Sequence, residues 1–155
     1  MDLTRNLRHN TVSRLKPTPP HAVEPDATIG DAVRLMRSKQ VGCLLVCDNK
    51  KLVGILTERD VMTRVLAVGR PLSDTVRSVM TVYPRTVGSR DPIRRAIARM
   101  EKGGYRHLPV VDDAGKPVGI LSVKRVVHYL AEHFASAVYN QSPAPRDFPA
   151  HRGGA

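Results

Sequence analysis

Two short stretches of the chain set a hydroxyl three residues ahead of a charge. In GILTERD, residues 54–60, Thr57 precedes the carboxylate of Asp60; in GILSVKR, residues 119–125, Ser122 precedes the guanidinium of Arg125. A threonine with an acid at i+3 can close a capping box at a helix N-terminus, for about 1 kcal/mol. The same spacing can also bind. Amides at a helix start and a hydroxyl suit a phosphate, and a carboxylate one turn in can accept two hydrogen bonds from the vicinal hydroxyls of a ribose. Residues 57 and 60 leave both readings open. Arg125 has no acceptor to offer a sugar, so only the first stretch keeps that chemistry.

The elements around the two stretches repeat. A shift of 64 positions lays Ile29, Ala32, Val33 and Met36 on Ile93, Ala96, Ile97 and Met100, the i, i+3, i+4, i+7 spacing of a helix with one buried face. At that shift VGCLLVCD (41–48) falls on YRHLPVVD (105–112), apolar and β-branched runs of strand length. DNKK (48–51) and DDAGK (112–116) then read as hairpin turns leading into the VGIL strands, the second turn one residue longer. A further helix is expected after each hairpin, over 61–68 and 126–134, and a short extended segment before each first helix, near 22–25 and 86–89. The expected fold is thus α/β, with two β-α-β-β-α repeats related by a pseudo-two-fold axis in one compact module. Their expected bounds are 14–68 and 85–134, joined by a connector over 69–84 that is too short for a flexible tether. The Pro-, Gly- and Ala-rich end, 135–155, is expected to be disordered and carries no function in this reading.

A chain of 155 residues can bury an ordinary core without disulfides. The N-terminus MDLTRNLRHN lacks an apolar signal region, and no run approaches the roughly 18 apolar residues of a membrane span. A reduced, cytoplasmic protein without membrane attachment is expected. The formal net charge of +11 predicts attraction to anions, whether nucleotides, nucleic acid or acidic protein surfaces. With no Trp and two Phe, a base-stacking platform for single strands is poorly supplied.

Little else on the chain suggests chemistry. Cys43 and Cys47 stand as C-x3-C in a strand without a second pair at metal spacing, and read as core. The histidines at 9, 21, 107, 128, 133 and 151 are scattered, and His128 with Glu132 reads as an exposed helix face. No P-loop or G-x-S-x-G elbow occurs. No catalytic residues, metal or required cofactor are expected.

Two tandem Gly-h-h-(Ser/Thr)-x-x-charged motifs, each behind an amphipathic helix and a hairpin strand such as LPVVD, resemble paired cystathionine beta-synthase (CBS) domains, the Bateman module. The resemblance covers about 14–134 and rests on repeat, spacing and motif together. It implies adenosine-nucleotide sites in clefts between the repeats, within a homodimer. In nucleotide-binding members the motif acid holds the ribose and the hydroxyl sits near the phosphate, with further phosphate contacts from the opposite repeat. Carried over, Thr57 and Asp60 give the first contacts, and Arg106, His107 and Lys124 the opposing ones. Ile55 and Pro109 complete the implied ligand-binding set. By the same rule the second cleft lacks its partners, because Arg125 replaces the acid and Gly42 and Cys43 replace Arg106 and His107. The alternative reading of Arg106 and His107 is a solvated strand end in a basic protein. The expected function is a non-catalytic regulatory module sensing AMP, ADP or ATP, or S-adenosylmethionine, in one cleft and signalling to an unknown protein. The alternatives are a basic nucleic-acid-associated protein and a ligand-free dimerisation scaffold.

Overall fold

The computed structural model describes residues 3–139. The chain opens with α1 (Leu3–His9) and a 3-10 turn at Val12–Leu15, then builds the first half from β1 (Ala22–Val23), α2 (Ile29–Lys39), β2 (Cys43–Asp48), β3 (Lys51–Thr57) and α3 (Glu58–Val61). A second 3-10 turn at Val76–Ser78 leads through β4 (Thr81–Val82) into the second half. That half comprises β5 (Val87–Gly88), α4 (Ile93–Gly103), β6 (His107–Val111), β7 (Pro117–Ser122) and α5 (Val123–Tyr139).

The two halves obey one plan because their sequences do. β1 pairs in parallel with β2, and β5 with β6, across the helices α2 and α4. Each of those helices buries three matched residues, Ile29, Ala32 and Met36 against Ile93, Ala96 and Met100. Both stop at a residue in the left-handed region, Gln40 (φ 54°) and Gly104 (φ 65°), which ends the helix and turns the chain into the next strand. The first hairpin closes over two residues, Asn49 and Lys50, both at positive φ. The second turn is longer and is held by Asp112, whose Oδ1 accepts from the amides of Ala114 at 3.0 Å and Lys116 at 2.8 Å. Both hairpins shift register at equivalent points, between Val46 and Cys47 and between Val110 and Val111.

Each half is completed by a segment from outside its own repeat. Val76, Val79 and Met80 join Ile29, Leu44 and Leu56 in the first core, and β4 pairs with β3. Val12 and Leu15, from the segment ahead of β1, instead join Val87, Ile93, Leu108 and Leu121 in the second core. Thr18 exchanges both backbone hydrogen bonds with Ile120, at 3.0 and 2.9 Å. The glycines of the two GIL stems allow this close approach. A Cβ on Gly54 would lie 2.5 Å from Met80 Sδ, and one on Gly119 would lie 2.8 Å from Pro17 Cβ. Cys43, Leu45, Ile55 and Ile120 form a third buried cluster that draws on both sheets and joins the halves.

The helices following the hairpins depart from the expected bounds. The helix expected over 61–68 begins at Glu58 and after one turn widens into a π turn, Met62–Leu66. Thr63 Oγ1 donates to the Arg59 carbonyl at 2.8 Å and so competes for an acceptor of the α-helical ladder. The helix expected over 126–134 runs from Val123 to Tyr139. Residues 140–155, most of the segment expected to be disordered, lie outside the described residues. Neither α1 nor the 3-10 turns were expected. α1 buries no residue, and its Leu7 packs only partly against the second core, so its sequence carries little periodic signal.

Candidate functional site

The face-to-face halves leave two clefts, one beside each hydroxyl motif. The first has a volume of about 400 Å³ and is walled by Ile55, Thr57 and Asp60 on one side and by Arg106 and His107 on the other. These are five of the seven residues implied above. Lys124 is not among them. It lines the second cleft, of about 640 Å³, with Ser122 and Arg125. The reason is the repeat itself: Lys124 is the counterpart of Arg59, so it flanks its own motif hydroxyl, and the cation that α3 gives the first cleft is Arg59. Pro109 lines neither cleft; it is buried in β6, opposite Ile120.

At the motif, the capping box is formed. Thr57 Oγ1 accepts from the Asp60 amide at 3.2 Å, while Asp60 Oδ2 accepts from Thr57 N and Thr57 Oγ1, each at 3.0 Å. The cap and a sugar-binding role are compatible, because only Oδ2 is used. Oδ1 faces Arg64 Nε at 3.9 Å, beyond hydrogen-bond reach. The Thr57 proton is committed to Asp60, so this hydroxyl reaches a phosphate only by exchanging that bond. The helix start also offers less than its sequence suggests. Glu58 N donates to the Gly42 carbonyl at 3.0 Å and Asp60 N to Thr57, so two amides of the first turn are taken. Grip on an anion in this cleft therefore falls to side chains.

Those side chains come from three elements. Arg59 stands in α3, Arg85 follows β4, and Arg106 precedes β6; all three line the first cleft, and none forms an ion pair with a described residue. Tyr83 and Tyr105 flank them. Tyr83 is 82% exposed and sits at φ 45°, with its amide bonded to the Val53 carbonyl at 3.0 Å. Sequence reasoning missed Tyr83 and the adjoining Arg85 because it treated 69–84 as a spacer, and missed Arg59 and Tyr105 because at those two places it weighed only the motif hydroxyl and acid and the two residues just before LPV. The available signal was VYPR, an aromatic and a cation on either side of a proline just before the second repeat.

His107 and Glu58 border both clefts. Burial pushes the His107 pKa below its ordinary 6.5, with Arg106 adding to the effect and Glu58 opposing it. The imidazole is therefore neutral at pH 7, a donor or acceptor rather than a fixed cation. In the second cleft its counterpart is Cys43, whose thiol burial pushes up to about 12 with a smaller contribution from Asp60. That thiol is inert. Ser122 keeps half a cap, accepting from the Arg125 amide at 3.3 Å, and no carboxylate answers it. Among the described residues no cluster of three His, Cys, Asp or Glu could hold a metal ion, and no helix is long and apolar enough to cross a membrane.

Two parallel-antiparallel α/β repeats around paired clefts, each cleft marked by a strand-ending Gly-Ile-Leu-hydroxyl motif, define a tandem ligand-cleft module. The CBS domain profile matches residues 12–67 and again 76–132, and the chain belongs to the CBS domain family as a tandem pair. It is 32% identical over 122 residues to an uncharacterized 17.7 kDa protein of Acidianus ambivalens, covering 78% of this chain and 73% of that one. It is also similar to larger CBS domain-containing proteins of Arabidopsis thaliana, such as CBSCBSPB2 at 34% identity, of which it spans only 22%. Among solved structures, the CBS domain protein PAE2072 of Pyrobaculum aerophilum, complexed with AMP, superposes with a TM-score of 0.74 at 26% identity, over 83% of this chain and 99% of that one. The CBS domain pair of protein MJ0100, in complex with 5′-methylthioadenosine and S-adenosyl-L-methionine, gives 0.71 at 25% identity, over 78% and 99%.

Proposed function

We propose that the first cleft binds an adenine nucleotide, AMP, ADP or ATP, and that the protein is a non-catalytic regulatory module of the cytoplasm that reports occupancy to another protein. The observation that carries this reading is the convergence on one cleft of Asp60, with Oδ1 uncommitted to the cap, and of Arg59, Arg85 and Arg106 without a carboxylate partner among the described residues. An acid for vicinal hydroxyls and guanidinium forks for a phosphate are what a nucleotide presents in reverse. Relatives with adenosine ligands support the class. The cations favour a phosphate tail over the positively charged sulfonium of S-adenosylmethionine. The same pattern supports one working cleft per chain, since the second has Arg125 and Lys124 without an acid at the motif.

A homodimer is the proposed assembly. Met62 and Leu66, one turn apart after α3, and Val123 and Val127 in α5 are exposed apolar pairs at equivalent ends of the two halves, and a second copy would cover them.

Thermal melts with AMP, ADP, ATP and S-adenosylmethionine test the reading. A true ligand at 100 times its Kd adds about 2.7 kcal/mol, and Asp60→Ala should abolish that gain. If binding is to nucleic acid instead, with which the +11 charge is equally compatible, affinity falls steeply with salt and ignores residue 60. No shift with any adenosine ligand would overturn the proposal.

A further inference from the structure

Asp60 is tied to the connector between the halves through one side chain that does not line the cleft. Arg64 Nη1 donates to the carbonyls of Val79 at 3.0 Å and Met80 at 3.1 Å, and its Nε lies 3.9 Å from Asp60 Oδ1. The carboxylate is only 14% exposed, and Oδ2 is filled by the cap, so Oδ1 is the oxygen that both Arg64 and a ligand hydroxyl would address. The two carbonyls immediately precede β4, and the strand and the residues after it, Thr81 to Arg85, form one wall of the cleft. Met80 is also the residue packed against the glycine face at Gly54. The π turn, Met62–Leu66, contains Arg64, and a widened turn changes the direction in which its side chains leave the helix.

The second half shows that this link accompanies the acid. The counterpart of Arg64 is Tyr129, which is 6% exposed. Its hydroxyl accepts from Asn10 Nδ2 at 2.7 Å and so ties α5 to the segment ahead of the first repeat. Both halves thus fasten this helix to the segment that enters from outside the repeat, but only the first does so with a charge placed at a motif carboxylate. Position 125 is Arg and position 129 is Tyr, so the second half lacks both the acid and the charged fastener.

We infer that Arg64 is a positioning residue that couples occupancy of Asp60 to the connector carbonyls of Val79 and Met80. The inference rests on the nucleotide reading for the identity of the ligand, though not for the coupling itself. With the cleft open, the guanidinium donates to the two carbonyls and is drawn towards Oδ1, 3.9 Å from Nε, by charge alone. Hydroxyls donating to Oδ1 take its lone pairs and weaken its pull, and the guanidinium settles on the carbonyls. Occupancy therefore holds the connector more firmly, and amide exchange slows at Val79, Met80 and Tyr83, whose amides bond Val76 and Val53 carbonyls.

The test is hydrogen exchange on the full chain, read at those amides with and without AMP, for wild type, Arg64→Lys and Arg64→Met. Wild type should show slowing of about fivefold or more on saturation, the lower end of common coupling. Arg64→Met should lose that ligand-dependent ratio whatever its basal exchange, and Arg64→Lys, which keeps a donor and charge, should recover part of it. A merely structural Arg64 would lower the melting temperature yet leave the ratio intact, and that result overturns the inference. Should AMP fail to bind at all, the nucleotide reading falls alone. Asp60→Asn then replaces the ligand as the probe: it should slow connector exchange in wild type, and have no effect there in the Arg64→Met background. Equal effects in both backgrounds would refute the coupling.

Discussion

Asp60 closes the capping box and also lines the first cleft, which sets the cost of removing it. The capping box contributes about 1 kcal/mol, so Asp60→Ala should lower the unliganded melting temperature by about 2 to 4 °C in a chain of this size, separately from any loss of ligand stabilisation; calorimetry with and without AMP resolves the two. His107 brings a pH dependence. Its folded pKa lies below 6.5 because burial disfavours the imidazolium, so the unfolded chain takes up this proton first. Its contribution to stability is fully present above about pH 6.5 and is lost as pH falls through the lower folded value. Urea unfolding at pH 7.5 and pH 5.0 should therefore show a smaller acid loss for His107→Gln than for wild type. Cys43, with its thiol held near 12, contributes packing to the wall between the halves and no reactivity.

The strands and turns are set by contacts that small residues permit. Gly54 lies where β4 crosses, and Gly54→Ala would press a methyl into Met80 and approach the Thr81 carbonyl at 3.1 Å. Met80 can yield, but the backbone oxygen cannot without displacing β4, so a cost of about 1–3 kcal/mol is expected. Because β4 and the residues after it wall the first cleft, chemical denaturation should show that loss together with weaker AMP stabilisation. Gly119→Ala meets Pro17, which does not line the first cleft, and should destabilise without touching AMP binding. Comparing the two variants separates the connector's effect on the cleft from general instability.

The module is closed by exchanged ends, Val12 and Leu15 packing in the second core and Val76, Val79 and Met80 in the first. Leu15, 3% exposed, leads into the first half ahead of β1 but lies in the core of the second. Leu15→Ala should cost about 2–5 kcal/mol and should loosen α4 and β6 rather than α2 and β2, which exchange measured element by element would reveal. The outcome would be reversed if the lead-in served only the repeat that follows it.

How much was legible before the fold is seen in particular residues. The helices over Ile29 and Ile93 and the hairpins of LLVCD and LPVVD were readable because burial on one face imposes a period that local sequence must carry. Thr57 and Asp60 were readable for a similar reason, since a cap is a contact between neighbours in the chain. The positions of Lys124, Arg59, Tyr83 and Arg85 were not. Which cation faces which cleft depends on how two hairpins pack across a pseudo-two-fold axis, and on a connector that returns to the sheet it has just left. Such contacts join residues far apart in sequence and leave no period behind. The chain by itself determined the two repeats, the single motif acid and the excess of cations. Only the tertiary structure decided that Arg59, Arg85 and Arg106 share a cleft with that acid, that Lys124 does not, and that Arg64 ties the acid to the connector, because those distances are fixed by the packing of one half on the other.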